Sequence, residues 1–189
     1  MRTGSLGETA GRDTEAQLKE VMRIFPQGVT VVTTHTKQGP RGLTVSSFIS
    51  VSLHPALVLV SLARGSDVHE SFANAKSFAV NFLAVEQGSV SERFAGRVDD
   101  KERFDGIGFH RGTTGSPIID GARAAIECTV WRIYDGGDHS LILGKVVRAA
   151  AMRAARPLVY YAQRYVTVGG AKLPSEPRGR VRRDRNGTR

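Results

Sequence analysis

The chain has one cysteine, Cys128, in 189 residues, which excludes an intrachain disulfide and a cysteine-based zinc site. A lone cysteine of this kind reads as a small buried hydrophobe. No apolar run approaches the roughly 20 residues of a membrane span, and residues 1–20 lack the apolar segment of a signal peptide. The expectation is a soluble, cytoplasmic protein with no membrane partner. The five histidines, at 35, 54, 69, 110 and 139, form no i, i+4 pair around a glutamate, and no carboxylates have metal-ligand spacing, so no metal site is expected. Aromatic residues are scarce at 7% while glycines number 21, a balance that favours a turn-rich β protein over disorder.

Two letter patterns promise chemistry and fail on geometry. Gly106-Ile-Gly108-Phe-His-Arg-Gly112 resembles a dinucleotide fingerprint, but its third glycine is one position late and no apolar strand precedes it. Asp138-His139-Ser140 has the letters of a catalytic triad, yet consecutive strand residues point to opposite faces. The net charge of +9 raises nucleic acid or an anionic surface as a partner. Its location weakens that class: residues 172–189 hold seven Lys/Arg against Glu176 and Asp184, so 7 − 2 = +5 lies in one end segment. With almost nothing to bury, that segment reads as a disordered basic tail.

The length fits one domain, expected over 14–171 between a flexible tail (1–13) and the basic tail (172–189). Thr14 and Gln17 have capping-box spacing ahead of Leu18, Val21, Met22 and Phe25, which fall on one helix face. Pro26 and Gly28 stop this helix. Val29–Thr34 follows with strong β preference, then a Lys37–Pro40 turn, giving a first hairpin. Residues 47–53 alternate with a period of two, Ala56–Leu62 is a continuous apolar strand, and Ser66 or Asp67 caps a short helix through Val68 and Phe72. Phe78–Leu83 is a further strand, Glu86–Phe94 a helix, and 95–117 a long surface excursion of the kind that serves a purpose. Ala124–Tyr134 and His139–Arg148 pair across Asp135-Gly-Gly-Asp138. About six strands with short helices fit an antiparallel barrel. No nucleophile or acid–base pair stands out, as in proteins that borrow their chemistry from a cofactor.

Phe25-Pro-Gln-Gly-Val-Thr-Val-Val-Thr33, Gly42-Leu-Thr-Val-Ser-Ser-Phe48, Ser50-Val-Ser-Leu53, Pro55, Phe78-Ala-Val-Asn-Phe-Leu83 and Gly137-Asp-His139 through Gly144-Lys-Val146 appear in one order over residues 18–165. Together they resemble the short-chain flavin reductases of two-component monooxygenases. The resemblance implies a mainly β fold, the Greek-key antiparallel split barrel with short peripheral helices, acting as a homodimer. It also implies hydride transfer from NAD(P)H, with NADH favoured, to FMN or FAD, and delivery of reduced flavin to a partner monooxygenase.

By the same resemblance, Thr44, Val45, Ser46 and Ser47 lie along the flavin ring, where neutral donors suit a ring that becomes anionic on reduction. Ser61, Ala63, Arg64 and Ser66 form the loop that receives the flavin phosphate. Asn81 is a further cofactor contact, or else bonds structurally to the backbone. Ala95 and Gly96 close over the cofactor, and His139 positions the nicotinamide. Arg64, Arg97, Arg111 and Lys145 are the candidate partners for a phosphate on the donor. Two other classes stay open: a split-barrel oxidase that retains its flavin, and a basic binding module using the arginine-rich tail.

Overall fold

The computed structural model describes residues 6–169. The expected basic tail, 172–189, lies outside the described residues, as do the first five residues of the expected N-terminal tail. In chain order the elements are helix α1 (Leu6–Arg23), strands β1 (Gln27–Gly28), β2 (Thr30–Thr36), β3 (Gly39–Val45), β4 (Phe48–Leu53) and β5 (Ala56–Ala63), helix α2 (His69–Ala73), β6 (Ser77–Phe82) and helix α3 (Gly88–Glu92). There follow β7 (Phe109–Arg111), β8 (Pro117–Ile119), the long pair β9 (Ala124–Gly136) and β10 (His139–Ala151), and the small hairpin β11 (Val159–Tyr161) and β12 (Arg164–Val166).

Seven strands form one antiparallel sheet in the order β3-β2-β6-β9-β10-β5-β4. The sheet curls on itself: Phe48 from the edge strand β4 meets Phe82 of β6 edge to face, with ring centroids 5.0 Å apart. Side chains from both halves enclose one core around Val32, Val58, Val60, Leu62, Phe78, Val80, Cys128 and Ile142. This is the split barrel that the motif order implies.

The run Val31-Val32 needs apolar surroundings on both sides, because neighbouring strand residues face opposite ways. Val32 enters the barrel core, while Val31 joins Val29, Leu83, Phe94, Phe104, Ile119 and Leu158 in a second cluster on the outer face of β2 and β6. That cluster anchors the excursion after residue 95, so the segment is packed rather than a plain surface loop. Phe104 is 7% exposed and Arg103 is fully buried.

The N-terminal helix differs from the capping signal. It begins at Leu6 and passes through Thr14 and Gln17, so Thr14 does not cap it. Leu18 and Val21 on its apolar face are 60% exposed. At α2 the N-cap is Val68, without a side-chain bond; Ser66 Oγ accepts the Val68 N–H one step earlier, at 3.4 Å.

Candidate functional site

A cavity of about 480 Å³ opens where three parts of the chain meet. Thr44 and Ser46, at the end of β3, and Val29 contribute one side; Ser91, Glu92, Ala95 and Arg97 come from α3 and its continuation; Tyr160, Gln163, Arg164 and Tyr165 come from the β11–β12 hairpin. Buried Ser91 ties the three together. Its carbonyl accepts the Thr44 hydroxyl at 2.6 Å, and its own hydroxyl accepts Tyr165 Oη–H at 2.9 Å. Ser46 is exposed to the cavity, and among the described residues its hydroxyl has no protein partner.

The floor is fixed from behind. Gly42 packs tightly against the second cluster: a Cβ there would lie 2.7 Å from the Phe94 ring and 3.4 Å from Phe104. Arg103, fully buried, donates to Gly42 O at 3.1 Å, to Val98 O at 3.1 Å and to Asp67 Oδ2 at 2.5 Å. One guanidinium thus joins the Gly42 strand, the excursion and the loop that leads into α2. Ala95 lines the cavity, and the adjacent Gly96 takes φ +84°, a left-handed conformation that ends the helical path without strain.

The expected site residues separate into three places. Thr44, Ser46 and Ala95 line the cavity. Ser47, Ser61, Ala63, Arg64, Ser66 and His139 gather instead where β5 ends and β10 begins. Ser47 Oγ donates to Ser61 O at 2.9 Å, Ala63 pairs with His139, and Arg64 donates from its backbone to Asp138 O and from Nη2 to Asp135 Oδ2 at 2.7 Å. Hydrogen bonds from the Gly137 N–H and from Arg64 hold the Asp135 carboxyl below the usual carboxylate range. His139 Nδ1 meets Asp138 Oδ1 at 2.7 Å, and this bond lowers the Asp138 pKa. Ser140 bonds His69 Nε2 at 2.8 Å rather than His139, so Asp138, His139 and Ser140 form no relay.

Val45 and Asn81 occupy a third place, the interior. The Val45 side chain belongs to the barrel core, at 5% exposure. Asn81 is fully buried; its amide donates to Val31 O, Thr33 Oγ1 and Pro117 O, and its Oδ1 accepts the Ile119 N–H at 2.9 Å. Both ends of the amide have partners inside the protein, as the structural bond, one of the two readings of this residue, requires. A buried amide in an apolar strand must be satisfied, and here β2 and β8 do so. Of the candidate cations, Arg97 alone lines the cavity. Arg64 is committed to Asp135, Arg111 donates to His35 Nε2 at 2.7 Å, and Lys145 lies 5.5 Å from the Trp131 ring centroid.

Sequence reasoning missed Ser91, Arg103 and the hairpin residues Tyr160, Gln163, Arg164 and Tyr165. No periodicity marks them, although two tyrosines five apart beside an arginine gave a compositional hint. The cavity suits a flat, partly polar aromatic body. Its volume falls within the range of small-molecule sites, neutral hydroxyls stand at Thr44 and Ser46, tyrosines wall one side, and its single carboxylate, Glu92, has Arg97 beside it at 3.8 Å.

A family model described as a flavin reductase like domain matches residues 22–169. The chain is 43% identical over 152 residues to the reductase component of the flavin-dependent trigonelline monooxygenase of Acinetobacter baylyi, spanning 48% of that protein and 80% of this one. It is 41% identical to the FMN reductase (NADH) SmoA of Agrobacterium fabrum, covering 74% of this chain and 79% of that one. Among solved structures, the Streptomyces globisporus NADH:FAD oxidoreductase SgcE6, in complex with NAD and FAD fragments, superposes with a TM-score of 0.77 at 36% identity, over 84% of this chain and 94% of that one.

Proposed function

The chain belongs to the flavin reductase-like family, and from that premise we propose that it moves a hydride from NADH to FMN or FAD and passes the reduced flavin to a separate monooxygenase. The observation that carries this reading is the cavity in which Thr44 and Ser46, from the segment Gly42–Phe48, meet the two tyrosines of the β11–β12 hairpin. When bound, the flavin supplies the hydride-accepting ring, so the protein needs no nucleophile of its own. Ser46 offers its unpaired hydroxyl to the ring's polar edge, and the Thr44–Ser91–Tyr165 bonds hold the floor and walls at a fixed separation. The Ser46 hydroxyl is a neutral donor, suited to a ring that gains negative charge on reduction. Stacking donor on acceptor in the walled cavity supplies proximity, an effect worth several kcal/mol of barrier.

His139, which lies outside the cavity lining where β5 ends and β10 begins, takes the nicotinamide-positioning role through Nε2. Asp138 accepts the hydrogen bond from Nδ1, and Nε2 has no partner among the described residues. The protein works as a homodimer. Ile49, Val51 and Leu53 of β4 are 57%, 50% and 77% exposed, and Trp131 on β9 is 44% exposed, apolar surface that a second copy would cover. No described helix is long and apolar enough to cross a membrane, and we place the reaction in the cytoplasm, where NADH is supplied.

The test is NADH consumption with riboflavin, FMN and FAD added in turn. Turnover that depends on added flavin supports the reductase reading. A tightly copurifying flavin with no NADH turnover marks an oxidase instead, and absence of turnover with every pair overturns the proposal.

A further inference from the structure

The β11–β12 hairpin closes through a two-residue turn, Ala162–Gln163, with Tyr161 paired to Arg164. Both turn residues are left-handed, at φ +48° and +60°. Asn–Gly adopts this turn with little strain, whereas two residues with ordinary side chains are strained in it. The Ala162 N–H donates to Arg23 O at 2.9 Å, which fixes the turn against the end of α1. What Ala–Gln provides and Asn–Gly would not is the Gln163 side chain, which lines the cavity beside Arg164. Non-glycine strain retained at a cavity points to a functional constraint.

Arg164 makes no hydrogen bond or ion pair among the described residues. Arg41, Arg64 and Arg103, by contrast, are committed to Asp100, Asp135 and Asp67. The cavity lining holds Arg97 and Arg164 against Glu92, so 2 − 1 = +1, and Glu92 is engaged by Arg97. An uncommitted guanidinium beside an aromatic-walled cavity matches a ligand with a flat ring and an anionic tail, and its planar fork matches a phosphate.

We propose that Arg164 is a specificity-determining residue that receives a phosphate of the bound nucleotide, and that the strained turn is kept because it carries Gln163 to the cavity beside Arg164. This rests on the cavity being the flavin and nicotinamide site. The phosphate belongs either to the flavin tail or to the diphosphate of the nicotinamide donor, and the experiment separates the two.

The full chain is titrated with riboflavin, FMN and FAD by flavin fluorescence, and with NADH by calorimetry, for the parent, Arg164→Gln, Arg164→Lys and the double variant Ala162→Asn/Gln163→Gly. Loss of one charge-assisted hydrogen bond predicts roughly tenfold weaker binding of at least one phosphate-bearing ligand in Arg164→Gln. Riboflavin binding stays unchanged, and Arg164→Lys recovers part of the loss. Weakening of FMN and FAD, or of FAD alone, assigns the phosphate to the flavin; weakening of NADH assigns it to the donor. The double variant gains thermal stability yet binds the same ligand less tightly, a divergence that a purely structural turn would not produce. Equal weakening of riboflavin and the phosphate-bearing ligands in Arg164→Gln, or no change in any of them, overturns the proposal. A double variant that gains stability with affinity intact removes Gln163 and the strained turn from it. If the parent binds these ligands but turns over no NADH, the reductase reading fails while the titrations still decide the role of Arg164. A parent that binds none of the four overturns both.

Discussion

Arg103 is the residue whose loss should disturb the candidate site most from a distance. In Arg103→Met the apolar stem is largely retained, so little cavity forms, but three acceptors lose their donor. Gly42 O is buried, and an unsatisfied buried carbonyl costs about 1–3 kcal/mol. Val98 is only partly buried and Asp67 is 49% exposed, so both regain water; the ion pair then counts as a surface-type interaction of about 0–1 kcal/mol. The sum is about 1–4 kcal/mol, and at ~2–4 °C per kcal/mol for a chain of this size the melting temperature should fall by about 2–16 °C. Thermal unfolding followed by circular dichroism measures this directly. Arg103→Lys, which keeps the charge and some of the donors, should fall in between. Because Gly42 leads into Thr44 and Ser46, the Met variant should also bind flavin more weakly at temperatures where it remains folded. A melting temperature within about 1 °C of the parent would refute the claim that this guanidinium holds the three segments together.

Gly144→Ala should also be destabilising, because its Cβ would collide with the Phe78 ring and Cys128 Cβ at the centre of the core; overpacking of this kind costs about 1–3 kcal/mol or more, read as a lower urea midpoint. Burial, with Glu127 adding to it, pushes the Cys128 thiol up to about 12, so it should resist alkylation in the folded protein and react once urea unfolds it. The unfolded thiol ionises near pH 8.5 while the folded one stays protonated, so this group makes stability fall as pH rises above that value; Cys128→Ala should flatten the alkaline slope in unfolding titrations. His139→Ala should raise the Michaelis constant for NADH more than it weakens flavin binding, and unchanged nicotinamide kinetics would remove His139 from the site. Leu53→Lys, at the exposed end of β4, should shift the protein from dimer to monomer in light scattering, and an unaltered mass would place the interface elsewhere.

The barrel strands were legible because their signals are local. Val29–Thr34, Ala56–Leu62 and Phe78–Leu83 combine β-branched or apolar runs with punctuation by Gly, Pro and polar turns, and each became a strand of the sheet. The start of α1 was not legible, since a capping spacing at Thr14 does not stop a helix that extends on both sides of it. Ser46 and Thr44 were legible as part of a motif. Ser91, Arg103 and Tyr165 were not, because their roles come from contacts across 36 to 74 positions of sequence. Asn81 shows the same limit: the strand pattern marked it as an anomaly, but only the paired strands reveal that both ends of its amide have partners within the protein. The β11–β12 hairpin escaped notice because Ala162–Gln163 carries none of the residues that ordinarily announce such a turn.

The central claim, hydride transfer from NADH to flavin, is tested most directly by a single anaerobic turnover. Catalytic protein is mixed with equal amounts of NADH and FMN or FAD, and both absorbances are followed together. The account predicts that the visible flavin band bleaches in step with the loss of NADH, one for one, and returns when air is admitted. An undiminished flavin band, or NADH loss without bleaching, would contradict it.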